Sequence, residues 1–502
     1  MSGFTHTIDT ERPSATDTDD QVQCAPPTGI TVLIIGAGVG GLMAALECHR
    51  KGHTVRVFER STSASAGGDM FTIGLSGRRV IKRYPAMQKE LDEISIHDSW
   101  MQHRKWTSEP IGEPRPFGQV VGGGGLTLHN QPMVTQLRPL FHAMLYHQIE
   151  RFGIEVSYGK RIVKYYEDAE RGVGGVITDE GEHAEADLVL AADGLNSHSQ
   201  ELVFGSLNKG VPSGRSIFRA AWDLELAMAD PLVKETFGLK DGKDPLMQAW
   251  MGPDTHAMTL SYVDKNSKNG QMLWGVTFKE PGEQDTTESW RNTVSGDDVL
   301  KMMEKSAPGW GEPMKRLVKT MPAGSIIFWP LLWRDPNPRT HSNGGRVLQI
   351  GDAAHSFLPT SGNGATQAIE DAITIAACLQ HAGKDNVATA VETHSLLRSE
   401  RVSCGQLLGF VNAERLQKAD LSKVGNDAKK VAAKVPKWLW QLDPEQYADE
   451  NYAAAAASLQ EGGPAFVNTN IPVGYTPKPW TLADIEKLES EGKQVEMSGD
   501  WS

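Results

Sequence analysis

Six residues, Gly36-Ala37-Gly38-Val39-Gly40-Gly41, stand between an apolar run, TVLII (31–35), and a helix-forming one that reaches about Lys51. That is the GxGxxG spacing in the context it needs, closing a strand and opening a helix. Each of three glycines then has its own task. Gly36 permits a tight turn, Gly38 lets a pyrophosphate approach the bare backbone, and Gly41 lets helix and strand pack closely. The helix start offers free N–H groups and a positive dipole end to phosphates. Gly52 stops the helix, and the strand TVRVFE (54–59) ends on Glu59, 23 residues after Gly36, where a carboxylate can bind ribose hydroxyls. The chemistry on offer is capture of a dinucleotide, without a choice between nicotinamide and flavin.

Two acidic strand ends make that choice. Asp193-Gly194 closes ADLVLAAD (186–193), and Gly351-Asp352 closes RVLQIGD (346–352). Asp352 can accept hydrogen bonds from the ribityl hydroxyls of an extended flavin chain. The helix GATQAIEDAITIAACLQ (364–380) points its N-terminus at whatever lies above the loop 359–364. Reduced flavin is negative near N1 and O2, and a helix N-terminus stabilises that anion. Gly362 and Gly364 let a planar ring rest on the backbone, and apolar residues at 365, 368, 369, 372, 373 and 376 give the helix one buried stripe.

The elements around these motifs divide the chain. Residues 1–30 read as a disordered tail and 31–210 as the first part of the dinucleotide-binding domain. Within that part the pattern predicts helices over 76–84 and 134–152, and a connecting loop through the Gly- and Pro-rich stretch 109–125. Residues 211–335 read as an inserted antiparallel sheet that binds substrate: SIFRAAWDLE, MQAWMG, HAMTLSYV and QMLWGVTF alternate, with the polar turn DKNSKNG joining the last two. Residues 336–425 return to the first domain with a helix over 392–417, and 426–502 form a C-terminal extension with no assignable chemistry.

Composition narrows the class further. In 502 residues, 50 Lys+Arg against 63 Asp+Glu leave a net charge of −13, which argues against nucleic acid or an anionic membrane as a general partner. The four scattered cysteines suggest neither a disulfide framework nor a metal site. The N-terminus has no basic start or apolar core of a secretory signal, and no stretch is long enough to span a bilayer, so a soluble, cytoplasmic protein is expected.

Taken together, the three motifs resemble those of the single-component, FAD-dependent aromatic hydroxylases, the class A flavoprotein monooxygenases. The wording GDAAHSFLPTSGNGATQAIEDA is especially similar to fungal salicylate-hydroxylase-like members of catabolic and secondary metabolism. The resemblance covers roughly residues 31–415. It implies an α/β fold with a Rossmann-like, GR2-type FAD-binding domain on a parallel sheet, the inserted β-sheet substrate domain and a helical C-terminal part. It also implies one non-covalent FAD, NADPH or NADH as reductant without a separate nicotinamide domain, and a C4a-hydroperoxyflavin that transfers oxygen from O2 to a small aromatic substrate.

Carried over by position, Glu59 resembles the ribose ligand and Arg138 an arginine that contacts the cofactor. Asp193 belongs to the DG motif, and Asp352 resembles the ligand of the ribityl–pyrophosphate chain. Gly362, Asn363, Gly364 and Ala365 resemble the loop and helix start under the flavin ring. Gln200 departs from the pattern, standing where the DG motif usually carries an arginine.

Arg219, in SIFRAAWDLE, matches an arginine that faces the flavin in related enzymes. A guanidinium there would lower the pKa of a phenol by charge, and phenolate is the form an electrophilic oxygen donor attacks. Its alternative is a solvated strand face. Tyr262 is a second catalytic candidate, His256 a weaker one, and His355 reads as structural. Trp222, Trp250 and Trp274 read as core. Two further readings stay open: epoxidation, indole oxidation or Baeyer–Villiger chemistry on the same scaffold, and a non-redox, GDI-like binding protein.

Overall fold

The computed structural model describes residues 5–7, 21–122, 127–206, 210–264, 270–279, 292–418, 424–425 and 427–502. Its first half supplies β1 (Thr31–Ile35), α1 (Val39–Arg50), β2 (Thr54–Phe58), β3 (Trp100–Lys105), α2 (Arg138–Arg151), β4 (Val156–Ser157) and β5 (Leu188–Ala191). There follow β6 (Val211–Asp223), β7 (Leu246–Gly252), β8 (Thr255–Val263), β9 (Gly270–Lys279), β10 (Ile326–Trp333) and β11 (Val347–Gln349). The chain closes with α3 (Gly364–Ala382), α4 (Val387–Gln417) and α5 (Pro444–Ser458).

The apolar runs β1, β2, β5 and β11, with β4 at the edge, form a parallel sheet in the order β11-β5-β1-β2-β4. Continuous hydrophobic strands suit a sheet covered on both faces. Val32, Ile34, Leu188 and Leu190 meet α1, α2 and α3 on one side. Leu33, Ile35, Val189 and Val347 meet a three-stranded antiparallel layer on the other. α3 crosses α1 closely because small residues face each other there: a Cβ on Gly40 would lie 3.2 Å from that of Ala368.

The second sheet has eight strands in the order Thr293–Val294, β10, β6, β9, β8, β7, β3 and Pro110–Pro116. It draws its other strands from 211–335, but takes two from the first half, and β3 runs parallel to β7. The stretch 109–125 is therefore not simply a loop. Pro110–Pro116 pairs at the sheet edge, where prolines are tolerated because the outer N–H groups need no partner. The helix expected from 134 starts at Arg138 instead, with Pro139 in its first turn and the strand Met133–Leu137 before it. The DKNSKNG turn falls mainly on 265–269, outside the described residues, and the strands flanking it pair antiparallel.

Most of the expected tail also lies outside the described residues. Its last stretch is held, since Ala25 N–H donates to the Arg50 carbonyl (2.7 Å) and Thr28 N–H to that of Gly52 (2.9 Å). No helix among the described residues is long and apolar enough to cross a membrane.

The C-terminal extension is built into the dinucleotide domain. Glu445, buried at the start of α5, meets Arg50 at 2.8 Å, Lys51 at 2.6 Å and Arg83 at 2.8 Å. Arg401 of α4, fully buried, donates to the carbonyls of Trp438 (2.9 Å), Leu439 (2.6 Å) and Asn470 (2.8 Å) while pairing with Glu370. Burial alone would raise the Glu445 carboxyl, but Lys51 and Arg50 hold it below the usual range. A depressed folded pKa stabilises the fold above the unfolded value of about 4.3, and this contribution is lost as pH falls through the folded pKa. Glu445→Ala should therefore cost about 1–3 kcal/mol near neutrality, because buried Lys51 loses its carboxylate while Arg50 keeps Glu47 at 2.7 Å. Melting curves of parent and variant should begin to approach each other below about pH 4.3 and converge only once pH has fallen through the depressed Glu445 pKa; a gap that persists below that point would assign the loss to packing instead.

Candidate active site

The glycine turn shows why three of its positions are fixed. Gly36 has φ +103°, and a Cβ there would lie 2.5 Å from the Ala192 carbonyl oxygen. A Cβ on Gly41 would lie 1.9 Å from the Gly36 oxygen. Gly38 differs: it caps α1, and a Cβ would meet nothing within 4 Å, because its open side faces a cavity. Glu59 accepts from Ala37 N–H and Ser61 N–H, both at 2.8 Å, one on each oxygen. Each oxygen keeps a lone pair for a ribose hydroxyl.

That cavity, about 990 Å³, runs from the turn past the loop 359–364 to the face of the eight-stranded sheet. Arg138, Asp193 and Asp352 line its middle. Asp193 takes the Tyr165 hydroxyl on Oδ2 (2.7 Å), while its buried Oδ1 has no partner among the described residues. Asp352 stands exposed on the cavity wall, yet deep enough that desolvation raises its carboxyl against the pull of His355, Arg138 and Arg334. Burial lowers the Arg138 guanidinium; Asp352 opposes the shift and Arg219 adds to it.

Arg334 is a residue the sequence reading missed. Its guanidinium donates to the Leu195 carbonyl (2.7 Å) of the DG segment and the Ala353 carbonyl (2.8 Å) of the GD segment. Gln200, in place of the motif arginine, donates to the same Ala353 oxygen at 2.7 Å. The two segments are thus tied by a guanidinium from a different part of the chain. Burial pushes the Arg334 pKa down to about 10.

At the loop, Gly362 has φ +57°, and its carbonyl accepts from Thr72 Oγ1 at 3.0 Å. α3 begins with no side-chain cap, so its first N–H groups are open, and the buried Asn363 Nδ2 has no partner among the described residues. Gly364 and Ala365 line the cavity beside them. Behind the loop, α4 presents two glycines one turn apart. A Cβ on Gly405 would lie 3.3 Å from the Phe357 ring, and one on Gly409 would lie 3.3 Å from Ser361 Cβ. Larger side chains would push the loop into the cavity.

His355 is structural, as expected. Its Nε2 lies 2.7 Å from Asp371 Oδ2, and Asp371 also receives Arg398 Nε at 2.8 Å. Burial alone would raise the Asp371 carboxyl, but His355 and Arg398 hold it well below its usual range.

Five strands of the large sheet make the cavity floor. His103 on β3, Ala249 on β7, Met258 on β8, Gly275 on β9 and Arg219 on β6 lie in one cross-strand row, and all line the cavity. Arg219 is bidentate to Asp69, with Nε 2.8 Å from Oδ2 and a second contact between its terminal nitrogen and Oδ1. Asp69 also lines the cavity, and its carbonyl accepts from Arg138 N–H at 2.8 Å. His103 and His256 stay neutral near pH 7, because burial pushes both down to about 4, helped by Arg115 and Arg215 respectively.

Tyr262 is a correction. It is buried further along β8, its hydroxyl donates to Gln271 Oε1 (3.2 Å), and it does not line the cavity. Strand alternation keeps it on the His256 face, but the strand carries it past the end of the chamber. Trp222, Trp250 and Trp274 pack in the core shared with the helices behind the sheet. None of the four cysteines lines the cavity.

The residues present fit a flavin dinucleotide: bare backbone at Gly38, unspent acceptors on Asp193 and Asp352, and open donors at the α3 start. Comparison with known proteins agrees. A model of an FAD binding domain matches residues 31–100, and a second FAD binding domain model matches 333–402. The FAD-dependent monooxygenase fsr3 of Gibberella fujikuroi is 39% identical over 492 residues, covering 96% of this chain and 92% of its own. The structure of CtdE in complex with FAD and substrate 4 aligns with a TM-score of 0.74 at 26% identity, over 85% of this chain and 98% of CtdE. A salicylate hydroxylase substrate complex shares the fold, with a TM-score of 0.65 at 22% identity, over 87% of this chain and 99% of that one.

Proposed function

Since the chain belongs to the class A FAD-dependent monooxygenases, we propose that it hydroxylates a small aromatic, phenolic molecule, consuming NADPH or NADH and O2. The observation that carries this reading is the continuity of one cavity, with the α3 start on one wall and the Arg219–Asp69 pair on another. Bound non-covalently, FAD would supply the activation of O2 and the oxygen transfer itself. The chain's own residues bind, orient and exclude water.

Gly38, Glu59, Asp193 and Asp352 would hold the dinucleotide along its length, with Arg138 balancing its charge. The open N–H groups at Gly364 and Ala365 would stabilise negative charge on the ring. Arg219 would polarise the substrate hydroxyl, with Asp69 fixing its fork so that no reorientation is needed when charge develops. Met101, Phe117, Met133, Met247 and Leu273 surround the chamber with apolar surface, which strengthens these interactions by keeping water out.

The test is NADPH and NADH oxidation by the yellow protein across phenols and indoles, under isotopically labelled O2. We expect oxidation to accelerate with a phenol and one labelled oxygen atom to enter the product. Flavin-loaded protein whose stimulated oxidation leaves every product unlabelled would overturn the proposal.

A further inference from the structure

Gly275 has no structural reason to be glycine. It sits on β9, an inner strand of the eight-stranded sheet, where glycine weakens pairing and offers nothing to pack. Glycine in such a strand usually marks a bulge, a left-handed backbone or a close approach by another group. The register with β6 and β8 is unbroken through Gly275, so there is no bulge. Its backbone is not in the left-handed region. A Cβ there would make only ordinary contacts, 3.4 Å to Ile217 Cδ1 and 3.5 Å to the Phe218 carbonyl oxygen. Close approach by something in the cavity is what remains.

The position gives that absence a meaning. Gly275 is half-exposed to the chamber, between Met258 on one neighbouring strand and Arg219 on the other. Without a side chain at 275, the floor beside Arg219 is bare backbone about 4.8 Å wide, the spacing of one strand. A planar ring could lie flat there with its hydroxyl against the guanidinium.

We propose that Gly275 is a specificity-determining residue, whose missing side chain admits the second and later fused rings of an aromatic substrate beside Arg219. The inference rests on the aromatic reading given above. A single phenol ring, held at the guanidinium, does not need the space. A side chain at 275 therefore discriminates by substrate size and not by charge.

The experiment uses the FAD-loaded full chain and the variants Gly275→Ala and Gly275→Val, titrated with phenol, 2-naphthol and 2-hydroxyanthracene. Binding is read from the perturbed flavin absorbance, with FAD content and melting temperature measured alongside. We expect Gly275→Ala to melt at or above the parent and both variants to keep full FAD. In Gly275→Val, affinity for the two larger probes should fall about 10- to 100-fold, as expected for added carbons in a fitted pocket, with phenol nearly unchanged.

Equal losses for all three probes, or none, would overturn the size assignment. So would destabilisation of Gly275→Ala, which would mark a structural glycine. If no probe binds even the parent, the aromatic reading fails and this inference fails with it. That result is distinguishable, because it appears before any substitution is made.

Discussion

Gly38→Val should purify as a folded, colourless protein. The substituted side chain enters open space, with no protein atom within 4 Å of its Cβ, so the apoprotein should melt close to the parent apoprotein. The space it fills is where the pyrophosphate must touch the backbone. Overpacking a fitted site costs about 1–3 kcal/mol, or ~5- to 150-fold in FAD affinity, and here it also removes the backbone contact. Gly41→Val is the contrast: its Cβ would lie 1.9 Å from the Gly36 oxygen, so the turn itself must break and the apoprotein should lose stability. FAD content and apoprotein melting separate the two. Full flavin in Gly38→Val would remove the dinucleotide from this turn.

Arg219→Ala should keep FAD and the fold while losing about 100- to 1,000-fold in product formation, the range for removing one preorganised donor. The pairing with Asp69 sharpens this expectation. In the parent the two charges offset each other on the chamber wall. Without Arg219 a lone carboxylate faces a substrate that must become more negative as it reacts. NADPH or NADH oxidation should then leak to hydrogen peroxide. Arg219→Lys should recover only part of the activity, since a point charge cannot form the same bidentate pair. Parental coupling in the alanine variant would return Arg219 to a purely structural partner of Asp69.

The parts of the site that a short stretch of chain builds alone were legible in the sequence. The glycine turn, Glu59 and the loop ahead of α3 each carry their physical reason within a few residues. The family reading follows from them, and the curated relative is an FAD-dependent monooxygenase, which sets aside the non-redox binding protein. Contacts between distant segments were not legible. Asp69 and Arg219 are 150 residues apart, and nothing in either neighbourhood announces the other. Arg334 reaches Leu195 across 139 residues, so its tie between the DG and GD segments was invisible from either motif. Tyr262 failed for a related reason: alternation gives the face of a strand but not where along it a chamber ends. The Gly405–Gly409 pair did carry a signal, since glycines inside a helix are costly without close packing in return.

The way the extension locks onto the rest bears on how the enzyme is made. The glycine turn leaves the ribosome early, but Asp352 and α3 follow some 300 residues later, as their positions in the sequence require. α4 is fixed by carbonyls of 438, 439 and 470, and the carbonyl of Ser502 itself accepts from Lys437 N–H at 3.1 Å. The flavin site is therefore backed by a helix whose anchoring carbonyls are translated after it. Domains ordinarily form as they emerge, but α4 cannot dock on these carbonyls until residue 470 has emerged as well. FAD that binds the folded state stabilises it by mass action, so cellular yield of the yellow enzyme should rise with flavin supply.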